Sequence, residues 1–199
     1  MIRAIYFDFY SVWLPDIFNE YITYAQTQRP DTVPELQAAV TRYFRGEVDA
    51  TFIADTFRFK LNRPDIDEEQ FTLRETDISP EVTNFMRNLH SHFVKLGVLA
   101  NLGKQEYQIL TDFNARNQLF EVITGPLPMQ LASPLMSQEV IAKALQAIGE
   151  PPSSTLIVSG NLQYLQFAQS LGIATLQFSG LPNLEITLNQ ALSSEVPGS

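Results

Sequence analysis

The chain has 199 residues, 45% of them hydrophobic and 11% aromatic, enough to bury one ordinary core and too many for a disordered chain. A formal charge of -9, with 13 Lys and Arg scattered along the sequence, argues against a nucleic-acid partner, because phosphate binding is driven by clustered basic side chains. The absence of cysteine excludes disulfides, thiolate catalysis and cysteine metal sites, and fits a reducing compartment.

Residues 2–7 (IRAIYF) are a short apolar run that reads as a buried strand ending at Asp8. The N-terminus enters it without the basic start and cleavable apolar stretch of a signal peptide, and no apolar run approaches about 18 residues. The expectation is a cytoplasmic protein with no membrane insertion. Helical patterns follow at 16–28, 34–45, 49–61 and, more briefly, 67–74, punctuated by Pro30, Pro34 and Pro64 with no strand between them. In 80–93 Val82, Phe85, Met86, Leu89 and Phe93 recur at three- and four-residue steps after Ser79-Pro80, a helix N-cap with proline at the first helical position. A strand is predicted over 94–100 (VKLGVLA) and another over 119–123 (LFEVI). The helix predicted over 138–148 carries Val140, Ile141, Ala144, Leu145 and Ile148 between Ser137 as cap and Gly149 as terminator. A strand over 155–158 (TLIV), a helix over 161–171 ending at Gly172 and a strand over 173–178 (IATLQF) complete the pattern. The tail after residue 193 has the composition of a frayed end.

Strands alternating with helices predict the α/β class, with a parallel sheet covered by helices on both faces. The long helical stretch between the first two strands predicts an inserted all-helical cap over 15–78, with the α/β core formed by 1–14 and 79–199. Open parallel sheets bind ligands beyond the carboxyl ends of their strands, so Asp8 stands where a site is expected.

With Asp8 ending the first strand and a helical stretch after it, the segments "KLGVLANLG", "ASPLMSQEVIAKALQAIG" and "TLIVSGNLQYLQFAQSLGIATLQF" follow in an order that resembles the haloacid dehalogenase superfamily over nearly the whole chain. The resemblance implies a Rossmann-like core with a helical cap and Asp8 as candidate nucleophile. Phosphatases of that superfamily carry Asp-x-Asp in the first motif. Here the second position is Tyr10, as in the 2-haloacid dehalogenases, and Ser159-Gly160-Asn161 matches the Ser-x-Asn of that branch. By the same resemblance Tyr10, Asn101, Ser159 and Asn161 would hold a substrate.

Other positions depart from the family. Ala100 replaces the second motif's hydroxyl residue, and Ala132 and Ser133 stand before Pro134 where the family places its lysine. Ser159 and Gly160 occupy the places of the aspartates that bind Mg²⁺ in phosphatases, and Tyr164 the place of the aspartate that assists the dehalogenase water. A phenol with a pKa of about 10 is a poor proton shuttle near neutrality. One carboxylate plus a backbone carbonyl makes a weak Mg²⁺ site, so neither a metal nor another cofactor is expected. Lys104, three residues after Asn101, is the candidate substitute cation, and Asp16 a second carboxylate at the start of the insert. His90 and His92, two apart on a helix, share no face and suggest no metal pair.

The insert holds more aromatic and aliphatic residues than one helical face needs, among them Phe52, Ile53, Phe57, Phe59 and Leu61. The surplus suggests an apolar patch for a protein partner or a second copy of the chain. Two functional readings follow. The expected one is a haloacid-dehalogenase-like protein without phosphatase activity that works by binding, as a scaffold, assembly factor or regulator. The alternative is a metal-independent hydrolase of the 2-haloacid dehalogenase type, with Asp8 as nucleophile.

Overall fold

The segment Ala4–Asp8 has no polar face until its last residue, and the fold buries every residue of it as β1, the central strand of a parallel sheet. The computed structural model describes residues 1–14, 16–90, 94–99, 102–124 and 138–193, with side chains as far as Leu188. The other strands are β2 (Lys95–Leu99), β3 (Val122–Ile123), β4 (Thr155–Ser159) and β5 (Ala174–Gln177), in the order β3-β2-β1-β4-β5. Every pairing is parallel, with Phe7 opposite Val98 on one side and Val158 on the other.

Tyr6 ties two strands together and the sheet to a helix. Tyr6 lies opposite Gly97 in the register, and its ring fills the space that a side chain there would occupy. Its hydroxyl donates to the carbonyl of Ala144 at 2.6 Å. Gly97 is therefore needed for close approach and not for a turn.

After β1 comes one turn of helix, α1 (Phe9–Val12), and then a stretch whose described residues form only helices: α2 (Ile17–Gln28), α3 (Val33–Phe44) and α4 (Ala50–Leu61), followed by the 3₁₀ turns Glu68–Phe71 and Glu75–Asp77. Asp16 and Asp49 cap α2 and α4 by accepting from the backbone N–H of Asn19 and Phe52. Asn62 closes α4 in the left-handed region at φ 55°. Phe18 sits at the centre of this insert, its ring 5.0 to 6.0 Å from those of Tyr10, Tyr43, Phe44 and Phe71. Because Phe9 and Tyr10 belong to the same buried cluster, the insert packs continuously onto the sheet.

The remaining helices are α5 (Pro80–His90), α6 (Lys104–Asn117), α7 (Gln138–Ile148), α8 (Leu162–Ser170) and α9 (Leu181–Ser193). The predicted strands and helices appear within a few residues of their expected bounds. The expected last turn of α5 at 91–93 and the tail after 193 lie outside the described residues. The predicted elements do not include α1, α6 or α9. Along α6 only Glu106, Leu110 and Phe113 are buried, one of them an acid, so its apolar period is faint. Among the described residues no helix is long and apolar enough to cross a membrane.

Candidate functional site

The chain runs from β1 outward to β2 and β3 on one side, then returns to place β4 and β5 on the other. The sheet order therefore reverses between β1 and β4, and the crevice beyond their carboxyl ends is the expected ligand position of such a sheet. Asp8 and Ser159 are the last residues of those two strands. The Ser159 hydroxyl donates to Asp8 Oδ2 at 2.6 Å, and Ser11 Oγ donates to the same oxygen at 3.0 Å. The hydroxyls are themselves held by the loop into α8: Gly160 N donates to Ser11 Oγ at 2.8 Å, and Asn161 N to Ser159 Oγ at 3.0 Å. A Cβ on Gly160 would stand 3.1 Å from that of Ser11, so glycine eases the close meeting of the two loops.

This clasp sequesters the carboxylate. Asp8 is 4% exposed, and its Oδ1 is fully buried with no hydrogen-bond partner among the described residues. Burial pushes its pKa up from the ordinary carboxylate range to about 6, against the opposing pull of the Ser159 and Ser11 hydroxyls. No ion pair among the described residues involves Asp8, Asp16 or Glu106.

Tyr10 is buried among Phe9, Phe18 and Phe44. Burial, then the charges of Glu106, Asp16 and Asp8, raise its hydroxyl well above the usual phenol range. It can donate a hydrogen bond, but it is no base near neutrality. Asn161 caps α8 by accepting from Tyr164 N at 3.1 Å. Tyr10 and Asn161 line one cleft with Ser11, Trp13, Asp16 and Asn19, of about 430 Å³. Asp8 lies behind Ser11 and does not line it. Burial also raises the Asp16 carboxyl.

The structure thus brings Asp8, Tyr10, Ser159 and Asn161 together at one end of the sheet, while Asn101, with Ala100 and the 132–134 segment, lies outside the described residues. Lys104 is placed elsewhere. It is exposed, faces the turn between α3 and α4 at Gly46, and lines a separate cleft with Tyr43, Glu47 and Asp49. Among the described residues its ammonium makes no ion pair with Asp8, the acid it was a candidate to serve. His90 faces Glu121 at 3.4 Å.

Two residues were not among those expected, Ser11 beside Asp8 and Glu106, which lines the Lys104 cleft. Ser11 is the second hydroxyl of the clasp, and its signal in the sequence is only its position three residues after Asp8. Glu106 reads as an ordinary first-turn acid of a helix, yet it is 1% exposed, accepts from the Tyr43 hydroxyl and leaves Oε2 without a partner among the described residues.

The described donors at the strand ends are not a set that suits Mg²⁺. A hard divalent cation gathers several oxygens, preferably anionic. The strand ends offer one carboxylate whose Oδ2 is taken by two hydroxyls, beside a phenol and a serine. Among the described residues no three His, Asp or Glu side chains converge.

Solved structures with the same architecture include a predicted HAD-like family hydrolase from Porphyromonas gingivalis, at 17% identity over 94% of this chain and 98% of that one, with a TM-score of 0.59. An L-2-haloacid dehalogenase from Xanthobacter autotrophicus with chloropropionic acid covalently bound aligns over 100% of this chain and 85% of that one, at 16% identity and a TM-score of 0.54. A HAD-family enzyme from Bacteroides thetaiotaomicron, in complex with magnesium and inorganic phosphate, aligns over 89% and 94% of the two chains at 16% identity and a TM-score of 0.55. The fold is that of the haloacid dehalogenase superfamily. No protein-family model and no curated protein matches the sequence. At these identities the haloacid-dehalogenase likeness is one of architecture, so the chemistry has to be argued from the residues of this chain.

Proposed function

We propose that this chain uses the haloacid-dehalogenase-like fold for binding and not for hydrolysis, as a cytoplasmic scaffold, assembly factor or regulator. One observation carries the reading. Among the described residues the only carboxylate at the ends of β1 and β4 is Asp8, buried behind Ser11 with no cation paired to it. Aspartate catalysis needs an exposed attacking oxygen, charge stabilisation for the leaving group and a means of activating the water that cleaves the ester. The first is hidden behind Ser11. For the second, the family lysine is replaced by Ser133, and Lys104 faces another cleft. For the third, the position of the assisting aspartate is Tyr164, whose hydroxyl burial holds well above its usual range. The binding surface includes the outer face of α4, where Phe59 is 80% exposed and Phe52 lies one heptad away at 39%. A protein partner or a second copy of the chain would meet it there.

The alternative is metal-independent dehalogenation. The hydrogen bond from Ser159 to Asp8 favours it, because the Asp-x-Tyr and Ser-x-Asn segments meet in space as that chemistry requires. Asp8 would displace halide from a 2-haloacid to form an ester, and water would then cleave the ester, releasing the hydroxy acid and restoring the carboxylate.

Purified protein incubated with 2-chloropropionate and with p-nitrophenyl phosphate, each with and without Mg²⁺, separates the two, with Asp8→Asn as control. The expected result is no release of chloride or nitrophenol above that control. Turnover that depends on Asp8 overturns the binding reading.

A further inference from the structure

The two hydroxyls that hold Asp8 differ in what can reach them. Ser159 is wholly buried, whereas Ser11 is half-buried and lines the cleft of about 430 Å³ at the reversal of the sheet. Ser11 Oγ donates to Asp8 Oδ2 at 3.0 Å and accepts from Gly160 N at 2.8 Å. The Asp8 carbonyl, at 3.4 Å, is the weaker of its two acceptors. A hydroxyl has one proton and two lone pairs, so one pair stays free while the proton points at a carboxylate.

A serine three residues after a helix-capping aspartate often makes such a bond for local reasons alone. Two features set this pair apart. Asp8 is buried with no cation paired to it among the described residues, and burial raises its pKa to about 6. Near neutrality it is therefore ionised yet takes a proton more readily than an ordinary carboxylate, as a general base must. Its titratable neighbours do not compete for that role: Asp16 raises it further, and burial keeps the phenols of Tyr10 and Tyr164 protonated. The second feature is the Gly160 N–H, brought from the loop into α8, which stabilises charge on Ser11 Oγ as its proton leaves.

The cleft also selects the charge of what meets Ser11. Asp16 lines it, while all 13 Lys and Arg of the sequence fall within the described residues and none of them does. An anionic reagent is repelled there and a neutral one is not.

We propose that Ser11 is a nucleophile with Asp8 as its base, and that it accepts an acyl group from a small neutral ester or thioester. Ser11 Oγ bonds to the carbonyl carbon while its proton passes to Asp8 Oδ2. The bond from that carbon to the leaving oxygen or sulfur then breaks, the leaving atom keeps the electron pair and is protonated by water, and Asp8 returns its proton to water. The acyl group now stands between Asp8 and the cleft, so Asp8 has no path to activate water and the serine ester persists. Only that persistence rests on the non-hydrolytic reading; the identity of the nucleophile goes beyond it.

The probe is p-nitrophenyl acetate, a neutral activated ester, mixed with the full chain near neutral pH. It is expected to release about one equivalent of nitrophenol per chain and then stop, with peptide mass spectrometry placing the acetyl group on Ser11. The labelling rate is expected to rise through pH 6 and level off above it, as Asp8 ionises. Asp8→Asn, close to aspartate in shape, is expected to label Ser11 at least about tenfold more slowly and without that step. The p-nitrophenyl hemisuccinate ester, which carries a carboxylate, should react at least about tenfold more slowly than the acetate. The proposal is overturned if Ser11 stays unlabelled at millimolar ester, if Asp8→Asn labels it as fast as the parent, or if the anionic ester reacts as fast as the neutral one. Nitrophenol release well past one equivalent, with Ser11 labelled and Asp8 required, supports the nucleophile and overturns the non-hydrolytic reading instead, so the two failures are distinguished.

Discussion

Two clefts flank the chain's buried acids, and they differ in what they put together. The one at the reversal of the sheet gathers Tyr10, Ser11, Asp16 and Asn161 around the hidden Asp8 and contains no positive side chain. The one between α6 and the α3–α4 turn contains Lys104, but beside Glu47 and Asp49 and away from Asp8. A hydrolase of this fold needs carboxylate and ammonium in one place, because the cation keeps the nucleophile ionised and offsets the charge that develops on the substrate. Here the two are housed apart. Asp8 joins β1 to β4 by accepting from the Ser159 hydroxyl, and burial disfavours its charged form.

The most sensitive way to probe that contrast is the pH dependence of folding. Burial pushes the Asp8 pKa up from an ordinary 3.8 to about 6 in the folded chain, so between those values the native state retains a proton that the unfolded chain releases. Its contribution to stability is complete below about pH 4 and is lost as pH rises through 6, on the order of 3 kcal/mol in all. Asp8→Asn removes that part of the slope. Urea denaturation at a series of pH values checks it, and an unchanged slope in the variant refutes the tie. Next in size is Ser159→Ala, which deletes a buried donor to a charged acceptor and leaves Asn161 N without its hydroxyl. A loss of roughly 2 kcal/mol at pH 7 is expected from the same measurement. Gly160→Ala pushes the loop into α8 away from Ser11 and should cost about 1 kcal/mol, with faster exchange of the Gly160→Ala amide. The smallest effect sharpens the other side of the comparison. Lys104→Ala should change stability by less than about 0.5 kcal/mol and leave the pH slope of the parent intact. A Lys104 that served Asp8 would alter that slope.

Much of the fold is visible in the chain itself. The apolar runs that become β1, β2 and β4 are too short and too uniformly buried to be anything but strands of a covered sheet, and α5 and α7 announce themselves by caps and period. The bounds of α2, α3 and α4 follow from Asp16, Pro34 and Asp49. The helix α6 is harder to see because its buried face carries Glu106, a residue that a period count scores as solvent-facing. The site divides in the same way. Asp8, Tyr10, Ser159 and Asn161 stand out because they sit at strand ends in recognisable segments. Ser11 does not, since a hydroxyl three residues past an aspartate acquires meaning only when Gly160, 149 residues away, donates to it.

Local pattern by itself determined the strands, the inserted helices and the residue types that stand at the strand ends, because period, capping chemistry and residue type are properties of neighbours in the chain. Only the tertiary structure decided that Asp8 is enclosed by two serines, that Lys104 faces a different cleft, and that Asp16 stands uncompensated beside Tyr10 and Trp13. Those are matters of which charges share a space, and electrostatic energy depends on distance and burial after folding, quantities that separation along the sequence does not set.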